Sequence, residues 1–341
     1  MAETVLVTGG SGFVASWCIV ELLNRGYIVR TTVRDASKTA GIAAAAGGAA
    51  RDRLTAVVAN LLHDEGWDAA VEGCKYVLHV ASPLGGGTPG DRHGLVAPAR
   101  DGTLRVLRAA VRAGVTRVVM TSAAAAARPR LESNRTSDET IWADPDDPQF
   151  DAYRVSKILA ERAAWDFLHC EGGSTSLTTI LPGAVFGPIL TRDNRGSVQI
   201  IQGLLEGRPP MMPKLGFWIV DVRDLAELHV RAMTSPAAAG ERFIAAGDFM
   251  WMAEMAAALR HALGEQARRV PRWQLPTALV RLLLPAMPHL RGLAPLLGRK
   301  FLLTSEKARR VLGINFRPGA ATVADCARSL DSVSPPAARR A

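Results

Sequence analysis

The residues that most restrict what this chain can become stand at its start. Thr4-Val5-Leu6-Val7 is a short β-branched and aliphatic run, Thr8-Gly9-Gly10-Ser11-Gly12 follows it, and from Phe13 to Leu23 the apolar residues switch to helical spacing. That order is a buried parallel strand, a tight turn and a helix. Such a turn aims the free N–H groups of the helix N-terminus at whatever lies above them, and the positive end of the helix dipole favours an anion there. Gly12 lets a pyrophosphate approach the backbone, while Gly9 and the small Ala15 permit the turn and close helix-strand packing. A bare glycine-rich connector would need neither neighbour. The strand before it and the helix after it point to nucleotide binding, with Thr8, Gly9, Gly10, Ser11, Gly12, Phe13 and Val14 as the contacting stretch.

The rest of the chain reads as further strands and helices in alternation. Tyr27 to Val33 is a second strand that ends at Arg34 with Lys38 close behind. An acidic residue there would bind the 2′-hydroxyl of NAD, whereas a guanidinium suits the 2′-phosphate of NADP. NADP(H) is therefore the expected cofactor, with Asp35 as the counter-signal. Leu54 to Ala59 delivers Asn60 and Leu61 to an adenine, and Tyr76 to Val80 ends in Ala81-Ser82-Pro83. His79, inside that strand, reads as a hydrogen-bonded core residue. A glycine-rich loop, Gly85 to Gly90, is expected to border the substrate mouth, and Leu95 to Ala113 is a long helix. Arg117 to Ser122 is a fifth strand carrying Thr121 and Ser122 to the same edge. Arg128 to Gln149, polar and broken by prolines, reads as a surface excursion.

Asp151 opens a helix in which Tyr153 and Lys157 lie four residues apart and share a face. Leu177 to Leu181 is a sixth strand, ending in Pro182 and a turn that holds Val185 and Phe186-Gly187-Pro188. The alternation predicts an α/β fold, a doubly wound parallel sheet with a smaller C-terminal lobe. The expected limits are 1–182 for the dinucleotide-binding domain and 183–330 for the substrate lobe, part of 217–246 returning to the first domain, and 331–341 as a loose tail. The Leu- and Pro-rich stretch from Leu275 to Leu297 is expected to line an apolar pocket or lobe interface.

Composition removes other classes. The net charge of +9 comes from dispersed arginines without interleaved aromatics, which argues against nucleic acid. No run approaches eighteen apolar residues, and the first strand begins without a leader, so no membrane span and a cytoplasmic location are expected. Cys18, Cys74, Cys170 and Cys326 lack metal-ligand spacing and read as reduced thiols; no metal site is expected.

Together, Thr8 to Ala15, Thr32-Val33-Arg34-Asp35, His79-Val80-Ala81-Ser82-Pro83, Arg117 to Ser122, Tyr153-Arg154-Val155-Ser156-Lys157 and Pro182 with Phe186-Gly187-Pro188 resemble the extended short-chain dehydrogenase/reductases, within them the dihydroflavonol 4-reductase-like group. The resemblance covers most of the chain to about residue 330. It implies a Rossmann-type fold and an NADP-dependent reductase of ketones or aldehydes, acting on a small carbonyl or alcohol substrate as a monomer or homodimer. In that family the tyrosine gives a proton to the carbonyl oxygen, the lysine binds the ribose hydroxyls, and a serine polarises the carbonyl. A lysine ammonium and a cationic nicotinamide would lower the phenol from its ordinary pKa of ~10.

This chain departs from the pattern twice. The catalytic serine of Thr-Ser-Ser is replaced in Thr121-Ser122-Ala123, so either Ser122 or Thr121 takes its place or activity is low. Asn60 stands where the group usually has Asp. Beside the reductase reading stand a steroid-type alcohol dehydrogenase, a sugar-nucleotide epimerase or dehydratase of the same fold, and an NADP-sensing module without turnover. An epimerase needs a basic clamp for a second diphosphate, of which the C-terminal lobe shows little sign.

Overall fold

The computed structural model describes residues 2–47, 52–83, 94–130, 133–191, 196–283 and 295–333. The expected first unit is β1 (Thr4–Val7) followed by α1 (Phe13–Asn24). There follow β2 (Ile28–Val33), α2 (Thr39–Ala45), β3 (Leu54–Val58), α3 (Trp67–Val71), β4 (Tyr76–His79), α4 (Val96–Arg112), β5 (Arg117–Thr121), α5 (Ala152–Glu171) and β6 (Ser176–Pro182). The remainder comprises β7 (Ala184–Phe186), α6 (Val198–Leu205), β8 (Gly216–Asp221), α7 (Val222–Thr234), β9 (Glu241–Ala245), β10 (Phe249–Trp251), α8 (Met252–Leu263), α9 (Thr277–Leu283), α10 (Glu306–Leu312) and α11 (Gly319–Val333).

Seven strands form one sheet in the order β3-β2-β1-β4-β5-β6-β9, every neighbouring pair parallel. The chain winds outward from β1 to β3 and then returns to lay β4 on the other side of β1, which makes that seam the switch point where ligands bind in open parallel sheets. Both faces of the sheet are covered, and its central strands are accordingly near-continuous apolar runs. Ile19, Leu22, Leu225 and Leu228 of α1 and α7 pack one face with Val5 and Val7 of β1. Val106, Leu107, Ala160 and Ala164 of α4 and α5 pack the other with Leu6, Val77 and Val118. The alternation of Val5, Leu6 and Val7 between two cores follows from the period of a strand.

A second sheet, β10-β8-β7, has β7 parallel and β10 antiparallel to β8. Its core, with Ile201, Leu204, Met255, Leu259, Val323 and Cys326, joins α6, α8 and α11. β8 belongs to this smaller sheet, so the chain's return to the large one begins with α7 and ends with β9.

One sequence expectation changes. The excursion from Arg128 to Gln149 is not confined to the surface: Ile141, Ala143 and Phe150, which follows it, are buried, and Ser137 pairs with the 302–304 stretch through Ser137 N to Leu302 O (2.9 Å) and Thr304 N to Ser137 O (3.0 Å). Its polar composition reflects backbone and side-chain bonds made inside the fold. In the Leu275 to Leu297 stretch, Val280, Leu296 and Leu297 join the second core, whereas Leu282 is 74% exposed. Residues 284–294 of that stretch, and the Gly85 to Gly90 loop, lie outside the described residues. Among the described residues no helix is long and apolar enough to cross a membrane.

Leu78 on β4 is fully buried beside the switch point. Leu78→Ala is expected to cost about 2–5 kcal/mol of stability, read as a lower urea midpoint at unchanged slope. An unshifted midpoint would contradict this placement.

Candidate active site

The turn after β1 owes its glycines first to its neighbours. Gly9 has φ +72°, and a Cβ there would stand 3.0 Å from the Ala81 Cβ; a Cβ on Gly10 would fall 2.2 Å from Thr31 Oγ1. The left-handed backbone and the closeness of Ala81, just past β4, disfavour a side chain at Gly9, and Thr31 of β2 leaves no room for one at Gly10. Gly12 begins α1 in extended conformation without a side-chain cap, and no acidic residue occupies the first turn. The leading N–H groups of α1 and the positive helix end are left for an anion, which is what a dinucleotide pyrophosphate requires. Ser11, Gly12, Phe13 and Val14 are half-buried along this turn.

Thr8 is corrected to a supporting role. It is fully buried, and its Oγ1 accepts the Val80 and Ala81 N–H groups at 3.1 and 2.9 Å. The same hydroxyl lies 3.1 Å from His79 Nδ1, while His79 Nε2 lies 3.2 Å from Thr103 Oγ1. With both lone pairs engaged, Thr8 gives its proton to Nδ1, and Nε2 carries the ring proton toward Thr103. Burial first, and the Lys157 charge second, depress His79 to about 3. His79 is a neutral core tie between β1, β4 and α4.

At the end of β2, Arg34 is exposed and has no acidic partner among the described residues. Asp35 is committed elsewhere: its Oδ1 accepts the Ser37 N–H at 2.8 Å, and that bond holds its carboxyl below the usual range. The counter-signal to a 2′-phosphate is thus used to start the short turn carrying Lys38. Asn60 folds its carboxamide oxygen back on Leu62 N at 3.2 Å, and Leu61 packs against Gly102 of α4. Val80, Ala81 and Ser82 remain half-buried opposite the glycine turn, Pro182 is buried at the end of β6, and Val185 is half-buried on β7.

α5 begins at Asp151, whose Oδ1 accepts the Arg154 N–H at 2.9 Å. One turn in, Lys157 is buried, and its Nζ donates to the Thr121 carbonyl at 2.9 Å. Burial lowers it to about 8 against the opposing pull of Glu161. Tyr153, on the same helix face, is 37% exposed and so reachable from outside. Burial around the phenol raises it above the ordinary tyrosine value, Arg154 and Asp151 acting less strongly in opposite senses. Lys157, whose ammonium is held at the Thr121 carbonyl, is not among the groups that shift the phenol here.

The two hydroxyls at the tip of β5 both turn inward. Thr121 Oγ1 lies 2.7 Å from His229 Nε2 on α7; His229 Nδ1 donates to Leu225 O at 2.7 Å, which makes the threonine the donor. Ser122 is buried and donates to Glu161 Oε2 at 2.6 Å. Ser122 is therefore corrected from a carbonyl-polarising group to a structural donor, and Thr121 contributes to the site through its carbonyl. Alternation along the strand sends one side chain to α7 and the next to α5.

Residues that sequence reasoning passed over hold this arrangement. Glu161, fully buried, accepts from Thr179 Oγ1 at 2.7 Å and from Arg242 Nε at 2.9 Å. Arg242 also donates to the carbonyls of Glu139 (2.9 Å), Ile141 (2.7 Å) and Ala126 (3.2 Å), and stacks 3.8 Å from the Trp142 ring centroid. The four-residue step from Lys157 to Glu161 was a visible signal; nothing local marked Arg242, which arrives from β9.

A model of the NAD dependent epimerase/dehydratase family matches residues 5–246. The chain belongs to that family. Over 253 residues it is 37% identical to a cinnamoyl-CoA reductase of Medicago truncatula, covering 70% of this chain and 75% of the relative. It is 35% identical over 262 residues to a tetraketide alpha-pyrone reductase of Arabidopsis thaliana, with 74% and 78% covered. Among solved structures, the yeast methylglyoxal/isovaleraldehyde reductase Gre2 complexed with NADPH superposes with a TM-score of 0.81 at 25% identity, over 97% of this chain and 98% of that one. Alfalfa vestitone reductase superposes with a TM-score of 0.75 at 25% identity, over 96% and 98%. The expectations of a Rossmann-type fold, an NADP-dependent oxidoreductase and the dihydroflavonol reductase-like group stand with these findings.

Arg242→Met would leave the Glu161 carboxylate buried without its cation, at an expected cost of about 3–5 kcal/mol. Adding Glu161→Gln should recover a large part of that loss in a denaturation cycle. A double-variant loss equal to the sum of the Arg242→Met and Glu161→Gln losses would show the pair to be uncoupled.

Proposed function

We propose that this member of the family is an NADPH-dependent reductase that delivers hydride to a ketone or aldehyde of a mainly apolar small molecule. Tyr153 is the proton donor and Lys157 the residue that orients the cofactor. The observation that carries this reading is a juxtaposition: an uncapped helix N-terminus at the end of β1, and Lys157 tied to the end of β5 only two strands away, one helical turn from an accessible phenol. The bound cofactor supplies the hydride; the chain supplies its seat and a proton. The large sheet and its helices form the cofactor-binding part, and the smaller sheet with α6, α8 and α11 the substrate part.

The chemistry follows from the charges. A phenol raised by burial keeps its proton at neutral pH, which is the form an acid needs. As the carbonyl oxygen gains charge, a proton from Tyr153 neutralises it. Exposed Arg34 supplies the fork for a 2′-phosphate. Position 123 is extended and carries only a methyl group, so the site lacks the hydroxyl that would share the oxyanion. Ser122 and Thr121 cannot supply it without giving up Glu161 and His229.

The cofactor assignment is tested by titration. Arg34→Ala should weaken NADPH about tenfold or more while leaving NADH near its wild-type affinity, and equal affinities in the unmodified chain would remove the 2′-phosphate argument.

The acid is tested by turnover on an aldehyde panel. Tyr153→Phe should abolish reduction with NADPH affinity retained, and Ala123→Ser should raise kcat by up to ~100-fold, the size of one oxyanion donor. Activity in Tyr153→Phe would exclude the proposed acid.

A further inference from the structure

Outside the strand-end site, the strap that follows β5 carries a half-buried arginine, Arg128, with one buried nitrogen that lacks an acceptor. The Arg128 guanidinium lies 4.5 Å from the Phe301 ring centroid and 5.9 Å from that of Phe150, and its Nη1 is buried without a hydrogen-bond partner. The fully buried arginines differ. Arg117 and Arg242 each spend their donors on backbone carbonyls, with Arg242 also on Glu161. Burial, and then the Arg154 charge, hold Arg128 down at about 10, against Asp151 and Asp147. An unpaired buried charged donor is costly, and a site that keeps one is prepared for an acceptor.

A cavity of about 380 Å³ adjoins it, between the strap and residues 299–302. Pro129, next to Arg128 in the chain, and Phe301, on which the guanidinium stacks, both line it. So do Arg130, Arg135, Arg299 and Lys300, and none of its described lining residues is acidic. Arg130 is paired with Asp144, and Lys300 lies over the Trp218 and Phe249 rings. Among the described residues, Arg135 and Arg299 have no carboxylate partner. Concave cationic walls of this kind focus a positive potential, and guanidinium forks match the oxygens of carboxylates and phosphates. Arg128 also lies against Phe150, the residue before the Asp151 cap of α5, the helix that carries Tyr153.

We propose that this cavity is a subsite for an oxyanion, a carboxylate or a phosphate, borne by the molecule that is reduced, with Arg128, Arg135 and Arg299 as its donors. The assignment to the substrate rests on the reductase reading of Tyr153; oxyanion binding does not. The test is calorimetric titration of the full chain, saturated with NADP+ to fill the cofactor's own phosphate sites, with inorganic phosphate and separately with benzoate, at constant ionic strength in chloride. At least one of the two should bind, and the one that does identifies the oxyanion. Its affinity should fall tenfold or more in the exposed pair Arg135→Ala/Arg299→Ala and in Arg128→Met, with NADP+ affinity unchanged. No heat from either probe, or equal affinity in the paired variant, would overturn the subsite. In turnover, the paired variant should raise KM for an aldehyde bearing the bound oxyanion about tenfold and leave an uncharged aldehyde unaffected; an equal effect on both would overturn the assignment to substrate. A chain that binds the oxyanion yet reduces no aldehyde would refute the reductase reading and leave oxyanion binding supported.

Discussion

The arrangement at the strand ends depends on one buried ion pair. Glu161 and Arg242 meet with side-chain exposures of 0% and 6%, from α5 and β9, elements far apart in sequence. Removing both charges from water carries a penalty that their attraction repays only when the remaining lone pairs and protons are also bonded. Here they are: Thr179 and Ser122 complete the carboxylate, and three carbonyls and an indole face complete the guanidinium. The pair ties α5, β5, β6, β9 and the strap after β5 in one relative position.

That position sets the site. Lys157 stands one helical turn before Glu161, in a region from which water has been removed, and the carboxylate is the charge that opposes its loss of a proton. The Thr121 carbonyl then fixes where the ammonium points. The same network withdraws Ser122 from the cleft, since a hydroxyl bonded at 2.6 Å to a buried carboxylate is not free for a substrate. What looked from the sequence like two spare hydroxyls beside Ala123 is two structural bonds, one to each layer of helices.

The strand-turn-helix start, the alternation of strands and helices and the helix bearing Tyr153 and Lys157 were legible because each rests on local periodicity or on residues a few positions apart. Side-chain direction at the sheet edge was not, since it depends on which distant element supplies a partner: His229 for Thr121, Glu161 for Ser122, His79 for Thr8. The strap from Arg128 to Gln149 was misread for the same reason. Its polarity suggested solvent, but Arg242 collects its carbonyls and Glu139 accepts the Ile244 N–H at 2.9 Å. Burial of a polar segment is decided by partners that a local reading cannot see.

The excess of arginine has a similar explanation. Arg30 gathers the carbonyls of Ala69, Ala70 and Glu72, Arg105 that of Leu61, Arg231 those of Leu312 and Gly313, and Arg260 that of Pro271. Several of these lie at helix ends or in turns, where carbonyls lack intrahelical partners and a five-donor fork can serve more than one. A basic balance built this way spends part of its charge on the chain's own backbone. Arg34, Arg135 and Arg299 give no donor to a backbone carbonyl among the described residues, and all three are exposed. In a chain this rich in arginine, the residues that inform about ligands are those the fold does not consume.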